Sequence, residues 1–360
     1  MTGRILWLLG LSLLACGPAT GPVRASLSVQ EAVGGDVPAG YAQADRAREL
    51  VFPADHGPHP DFRSEWWYFT GNLDGQRPFG YQLSFFRSNL NPMPERRRSD
   101  WGTNQVALAH FAVTDVRGGK HRGFELASRA ALGLAGFQAS PLRVWLDDWE
   151  AAGSATPQDP LHLRASTQEC AVDLQLWTER PPVLHGDGGL SAKGEEPGQA
   201  SYYVSFTRLA TRGYVRSGGQ TYPVEGLSWM DHEWTSNALG REQSGWDWMG
   251  LQLQDGRDVM LFQLRRPDGS VSFRGGTLVE SDGRWRPLEA RLERLATRGA
   301  YPSKWRVTAA DLDLEVLPRV ADQEMQLSLR YWEGAVDVRG SATGTGYVEL
   351  TGYPQTGRQE

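Results

Sequence analysis

Residues 245–285 read GWDWMGLQLQDGRDVMLFQLRRPDGSVSFRGGTLVESDGRW. Apolar and polar residues alternate in runs of strand length. Asp255-Gly256, Asp268-Gly269 and Asp282-Gly283 break the runs at close intervals. Asp-Gly between alternating runs is a hairpin signal, because the glycine accepts the positive φ that tight turns demand. The stretch therefore predicts four short antiparallel strands joined by three turns. Asp74-Gly75 marks a similar turn upstream, and strand-like patterning runs from about residue 62 onward. Helical periodicity is confined to Tyr41–Leu50, so the chain is expected to be all-β with little helix.

The two halves share features. Laid without gaps, WYFTGNLDG (67–75) falls over WMGLQLQDG (248–256), and Tyr81-Gln82-Leu83 falls over Phe262-Gln263-Leu264. This overlay predicts two similar antiparallel domains, each opening with a Trp-bearing hairpin. Closed barrels suit such domains, since closure removes exposed edges. The 360 residues leave room for two domains.

Composition narrows the function. Apolar residues make up 40% and charged residues 22%, and the net charge of -6 comes with no basic block. Nucleic acid is therefore not an expected partner. Tryptophan is in surplus, with 14 against 11 Tyr and 12 Phe. Indoles plug barrel ends or line aromatic cavities, and this count favours a cavity. There is no Gly-x-Ser-x-Gly elbow and no Gly-rich phosphate loop, which removes the sequence basis for a serine hydrolase or a nucleotide site. No cofactor is expected.

The N-terminus reads as an address. Arg4 precedes an apolar run, Ile5–Leu14, and small residues follow at Ala15-Cys16-Gly17. The run is shorter than the roughly 20 residues a membrane-spanning helix needs, so 1–16 is expected to be a signal peptide. Leu13-Leu14-Ala15-Cys16 resembles a bacterial lipobox with Cys16 as the lipidated residue. Acyl chains there would anchor the chain to a membrane at roughly 0.8 kcal/mol per buried methylene. The resemblance implies an outer-membrane lipoprotein facing the periplasm; plain secretion is the alternative. Cys16→Ser is then expected to move the folded chain from the membrane to the soluble fraction. A variant still held in membranes would place the anchor elsewhere. Residues 17–49, rich in Gly, Pro, Ala and Ser at their start, read as a flexible tether. With Cys16 lipidated, Cys170 has no partner for an internal disulfide.

SWMDHEW (228–234) concentrates chemistry. In a strand, His232 and Trp234 share one face, and Asp231 and Glu233 share the other. The expected arrangement turns His232 and Trp234 toward a cavity, with Asp231 or Glu65 as acid. Glu65 precedes a second aromatic patch, Trp66-Trp67-Tyr68. A carboxyl whose pKa burial raises can hold a proton at neutral pH and donate it. Indole faces stabilise a cation, and His232 could orient or deprotonate water. The other reading is a buried His–carboxylate bond that locks the domain junction. His56, His59, His110, Asp231 and His232 are ligand types for a metal, but without the spacing of a known site; none is expected.

DFRSEWWYFTGNL (61–73), AHFAVTD (109–115), SWMDHEW, DGRDVMLFQLR (255–265) and GTGYVELTGY (344–353) together resemble the carotenoid 1,2-hydratase/AttH-type family of lipocalin-like proteins, over about Phe52–Tyr353. The resemblance implies two lipocalin-like barrels packed together, residues 50–235 and 236–358, with a pocket near their junction. It also implies hydration of a terminal isoprenoid double bond in one branch. In a secreted bacterial branch it implies unsettled chemistry linked with ABC-type export permeases. His232 and Trp234 match the hydratases' functional His-x-Trp. The aromatic and Asp those enzymes use further on have no counterpart in Phe262-Gln263-Leu264, which lacks a phenol and a carboxylate. The expected function is binding of an elongated hydrophobic, lipid- or isoprenoid-like ligand, with an ABC-type permease as partner. The alternative is a cofactor-free hydratase or isomerase acting on an isoprenoid or polyene chain. Expected catalytic residues are His232, Trp234, Asp231 and Glu65. Expected ligand contacts are Trp66, Trp67, Tyr68, His110, Trp246 and Trp248.

Overall fold

The computed structural model describes residues 34–35, 37–93, 99–156, 158–178 and 180–354. The expected signal peptide, Cys16 and the tether up to residue 33 lie outside the described residues. The first sheet comprises β1 (Ser64–Gly75), β2 (Phe79–Asn89), β3 (Gln105–Asp115), β4 (Lys120–Arg129), β5 (Ala135–Gln138), β6 (Leu142–Leu146), β7 (Trp149–Gly153), β8 (Leu161–Ser166), β9 (Cys170–Trp177), β10 (Val183–Leu184), β11 (Leu190–Ala192), β12 (Ala200–Ser217) and β13 (Gln220–Thr235). The second comprises β14 (Gly245–Leu253), β15 (Asp258–Arg265), β16 (Val271–Val279), β17 (Trp285–Pro287), β18 (Arg291–Arg298), β19 (Tyr301–Ala309), β20 (Leu312–Pro318), β21 (Glu324–Gln326), β22 (Arg330–Gly340) and β23 (Gly344–Leu350). The only helical element among the described residues is the 3-10 turn Ala54–His56.

The quoted stretch forms the expected meander, β14 to β17. Gly256 and Gly269 close two of its turns with φ of +91° and +83°. The sheets follow one plan. The first runs β4-β3-β2-β1-β13-β12-β9-β8-β7-β6-β5, and the second runs β17-β16-β15-β14-β23-β22-β20-β19-β18. Each opens with a four-strand meander, and its last strand returns to pair with its first. Both sheets curl into barrel-like bodies. In the first, β4 comes against β6 without pairing to it.

Each barrel fills its own lumen. Trp67, Phe69, Tyr81, Phe85, Phe111 and Trp149 belong to the first core. Met249, Leu251, Trp305, Val336 and Val348 belong to the second. A third cluster, including Tyr68, Tyr203, Trp229, Trp248, Phe262 and Tyr347, lies between the barrels. The gapless overlay is therefore wrong in register, although the shared plan is real. Trp67 and Tyr81 point inward, but Trp248 and Phe262 point to the junction. Side chains alternate with period two, so an overlay off by one residue swaps the faces.

Tyr41–Leu50 is not helical. Its polar groups bond to the first barrel: Ala42 N–H to Asp61 O at 2.9 Å, Tyr202 Oη to Arg46 O at 2.8 Å, and Tyr41 Oη to Asn89 O at 2.8 Å. Ala42, Ala44 and Leu50 pack with Tyr202 and Trp234. Bonds and burial offered by the barrel outweigh a weak helical preference. The part of the expected tether from Tyr41 onward thus lies against the fold.

Candidate functional site between the barrels

SWMDHEW is the end of β13 and pairs with the start of β1. Trp66 lies opposite Glu233, Trp67 opposite His232 and Tyr68 opposite Asp231. The expected alternation is present, but the faces are reversed. Trp229, Asp231 and Glu233 look out toward the second barrel, whereas His232 and Trp234 look into the first. The apolar lumen takes Met230, and with it every second residue of the strand.

A cavity of about 170 Å³ lies where the barrels meet. Trp66, Tyr68, Phe86 and Leu108 line it from the first barrel, and Trp246, Trp248, Phe262 and Leu264 from the second. Between these apolar walls stand Asp231, Glu233, Glu349, His110, Tyr203, Tyr331 and Lys193. Asp231 Oδ1 accepts from Trp229 Nε1 at 2.6 Å and from the Ser205 hydroxyl, and Oδ2 accepts from Tyr203 Oη at 2.7 Å. Trp248 Nε1 donates to Tyr203 Oη at 2.9 Å, so an indole of the second barrel completes that chain. Glu349 Oε1 accepts from Trp246 Nε1 at 2.7 Å. Glu233 pairs with Lys193 Nζ at 2.8 Å and accepts from the Ser201 hydroxyl. Tyr68 Oη donates to Glu333 at 2.7 Å across the junction.

Burial dominates the electrostatics. It pushes the Asp231 pKa up to about 7, against the pull of Ser205, Tyr203 and Trp229. It pushes Glu349 to about 7 as well, where the Trp246 bond opposes the shift and the charges of Asp231 and Glu233 reinforce it. Glu333 is raised well above the ordinary carboxyl range by burial and by Glu349. The cavity thus holds carboxyls that keep protons near neutral pH, beside electron-rich aromatic faces. That combination can protonate a weak base and shelter the cation formed.

Glu65, His232 and Trp234 build something else. Glu65 Oε1 meets His232 Nε2 at 2.9 Å and His59 Nδ1 at 2.8 Å, while Oε2 accepts from Arg87 Nε at 2.8 Å. Glu65 and Arg87 are both fully buried. Asp55 meets His59 Nε2 at 2.9 Å and Arg48 at 2.7 Å. His59 stacks on Trp234 with centroids 3.8 Å apart, and His232 stacks on Trp67 at 4.7 Å. Burial alone would raise the Glu65 pKa, but the bonds from His232 and His59 and the Arg87 charge hold it far below the ordinary range. Burial lowers the His232 pKa despite Glu65. His232 then donates from Nε2, which leaves Nδ1 buried without a partner. His59, Glu65 and His232 place potential metal-ligand atoms within 4.8 Å of one another. The guanidinium already bound to Glu65 opposes a second cation there, so the cluster works as a clasp between the strap before β1 and the barrel end.

The structure thus brings Asp231, Trp66, Tyr68, His110, Trp246 and Trp248 to one cavity. It removes Glu65, Trp67, His232 and Trp234 from that cavity and places them in the barrel end. Of the residues weighed for a metal, His59 and His232 meet at Glu65, and His56, His110 and Asp231 are not part of that group. Glu349, Tyr331, Tyr203 and Lys193 were missed. Glu349 carried a signal, a lone carboxylate in the otherwise uncharged run GTGYVELTGY.

Comparison with known proteins follows this geometry. The AttH-like family model matches residues 43–353. A crystal structure assigned as AttH from Nitrosomonas europaea is 33% identical, with a TM-score of 0.75, over 87% of this chain and 100% of that one. Kievitone hydratase from Nectria haematococca shares the fold at 13% identity and a TM-score of 0.64, over 87% of this chain and 98% of that one. No curated protein matches the chain.

Proposed function

The chain belongs to the AttH-like family, and from that premise we propose that the junction cavity binds the unsaturated end of an elongated apolar molecule and performs cofactor-free acid–base chemistry of the hydratase type on it. The observation that carries this reading is the placement of two buried carboxyls, Asp231 and Glu349, in the aromatic walls of one cavity, where burial pushes the pKa of each up to about 7. Addition of water to an alkene needs a proton donor, a sheltered cation and a water. The pair supplies the proton. The indoles of Trp66, Trp246 and Trp248 offset the cation, by roughly 0.5–2 kcal/mol each. Apolar cavities near ~150 Å³ hold a benzene-sized molecule. About 170 Å³ therefore suits one prenyl-sized terminus, with the rest of the chain outside. A hydratase among the neighbours of this fold agrees with the reaction class.

The test uses the full chain in D2O with two probes, lycopene in detergent micelles and kievitone. Mass spectrometry reads added water and carbon-bound deuterium. Titration with the fluorescent polyene cis-parinaric acid reads binding. The wild type is expected to bind the polyene and to incorporate deuterium into one probe. Trp248→Ala should weaken binding about ten-fold, equivalent to about 1.4 kcal/mol. Trp234→Ala should leave affinity per folded molecule unchanged, because its indole lies in the barrel end. Binding without deuterium uptake would leave a binding protein for apolar molecules and would overturn the enzymatic part. Absence of binding would overturn the whole reading.

A further inference from the structure

Two residues of the cavity wall, Tyr331 and His110, continue through Glu125 behind them as a hydrogen-bonded line that the acid pair does not use. His110 lies on β3 directly opposite Glu125 on β4, and Tyr331 comes from β22 of the other barrel. Tyr331 Oη and His110 Nδ1 are 2.7 Å apart, and His110 Nε2 and Glu125 Oε2 are 3.1 Å apart. His110 is fully buried and Tyr331 nearly so, while the Glu125 side chain keeps 22% of its surface exposed. The line therefore runs from the cavity to solvent.

The direction of each bond follows from its acceptor. Glu125 also accepts from the Ser328 hydroxyl at 2.5 Å. Bonds from His110 and Ser328 overcome burial and keep its pKa below the ordinary carboxyl value, so it accepts and does not donate. His110 must then carry its proton on Nε2, which leaves Nδ1 as a base facing the Tyr331 hydroxyl. The Tyr331 ring also lies partly stacked with the His110 ring, centroids 5.5 Å apart, which fixes the pair. Burial raises the Tyr331 pKa, and the carboxyls of Glu333 and Glu349 add to it. The phenol therefore stays neutral until a base takes its proton.

We propose that Tyr331, His110 and Glu125 form a carboxylate–imidazole–phenol relay that acts as the base of the junction cavity. Tyr331 is the catalytic group, His110 takes its proton, and Glu125 is a positioning residue acting through His110. This rests on the hydratase-type reading and supplies the half of the reaction that reading leaves open. As the oxygen of water bonds to the cationic carbon, the water gives a proton to Tyr331 Oη. Tyr331 gives its own proton to His110 Nδ1. The product is an alcohol, a neutral phenol and an imidazolium facing the Glu125 carboxylate. One proton has left the Asp231–Glu349 pair and one has reached His110, so a single water is added. The exposed edge of Glu125 lets the excess proton return through solvent.

The test needs no substrate. Benzenesulfonyl fluoride has an apolar aromatic body of benzene size, which suits a cavity of about 170 Å³, and its sulfur is attacked by a phenol oxygen as fluoride leaves and a base takes the phenol proton. Peptide mass spectrometry of the full chain should find the label on Tyr331. Glu125→Gln, which keeps length and loses charge, should slow labelling by roughly 10²-fold. Glu125→Asp, which keeps charge and loses length, should retain more of the rate than Glu125→Gln. A purely structural Glu125 would reverse that order. Absence of label on Tyr331, or equal rates for wild type and Glu125→Gln, overturns the relay. Because labelling does not involve Asp231 or Glu349, a protein that labels as expected and adds no water to the probes would sink the acid reading alone.

Discussion

Glu65→Ala is expected to destabilise the fold by about 3–5 kcal/mol, among the largest losses available from one side chain here. Glu65 and Arg87 have no exposed side-chain surface. Removing the carboxylate strands the guanidinium in a packed barrel end, where water cannot replace the lost partner. His232 and His59 lose the same oxygen, and the backbone N–H of His59 loses an acceptor that now lies 2.9 Å away. Urea unfolding at pH 7 measures the loss. Adding Arg87→Met to the variant should restore part of it, because the stranded charge goes as well. The pH dependence has a definite sign. The Glu65 pKa lies below its unfolded value, so its contribution is present above about pH 4.5 and fades as the pH falls below that. A near-neutral Glu65→Ala would mean that the cluster is not a clasp.

This clasp explains why the fold was more legible than the site. Strands announce themselves locally: β14 to β17 follow from alternation and three Asp-Gly turns, and each feature is read within ten residues. Which face of β13 is inward is not local. Met230, His232 and Trp234 carry much the same balance of apolar and polar groups as Trp229, Asp231 and Glu233. The choice is made by distant partners, Arg87 and His59 on one side and Tyr203 and Ser205 on the other. Family likeness did bring His232 and Trp234 forward, but as motif positions without directions. Trp66 and Tyr68 were found because an aromatic run of three must expose some member to each face. Glu349 stayed hidden because a lone carboxylate reads as solvated until a second barrel covers it. Tyr331 and Lys193 offered no local pattern at all.

Asp231→Asn should divide stability from activity in a pH-dependent way. The ordinary Asp value is 3.8, and burial moves Asp231 to about 7 in the folded chain. Between those values the folded state holds a proton that the unfolded state has released. Stability therefore falls as pH rises through that window, by about 1.4 kcal/mol per pH unit for one such group, and levels off above it. Asparagine has no proton to lose, so the variant escapes this slope. Urea unfolding from pH 5 to pH 8 should show the variant gaining on the wild type up to about pH 7, and then running parallel to it. Glu349→Gln should behave alike, since Glu349 titrates near the same pH. Because the charge on Asp231 raises Glu349, the two slopes belong to the pair and should not add in the double variant. Deuterium uptake by the probe should meanwhile drop by roughly 10²–10⁴-fold in either single variant. Parallel stability curves across the whole range would mean that Asp231 is ionised in the folded chain at neutral pH. An ionised Asp231 has no proton to give an alkene, so that result would remove the acid from the cavity.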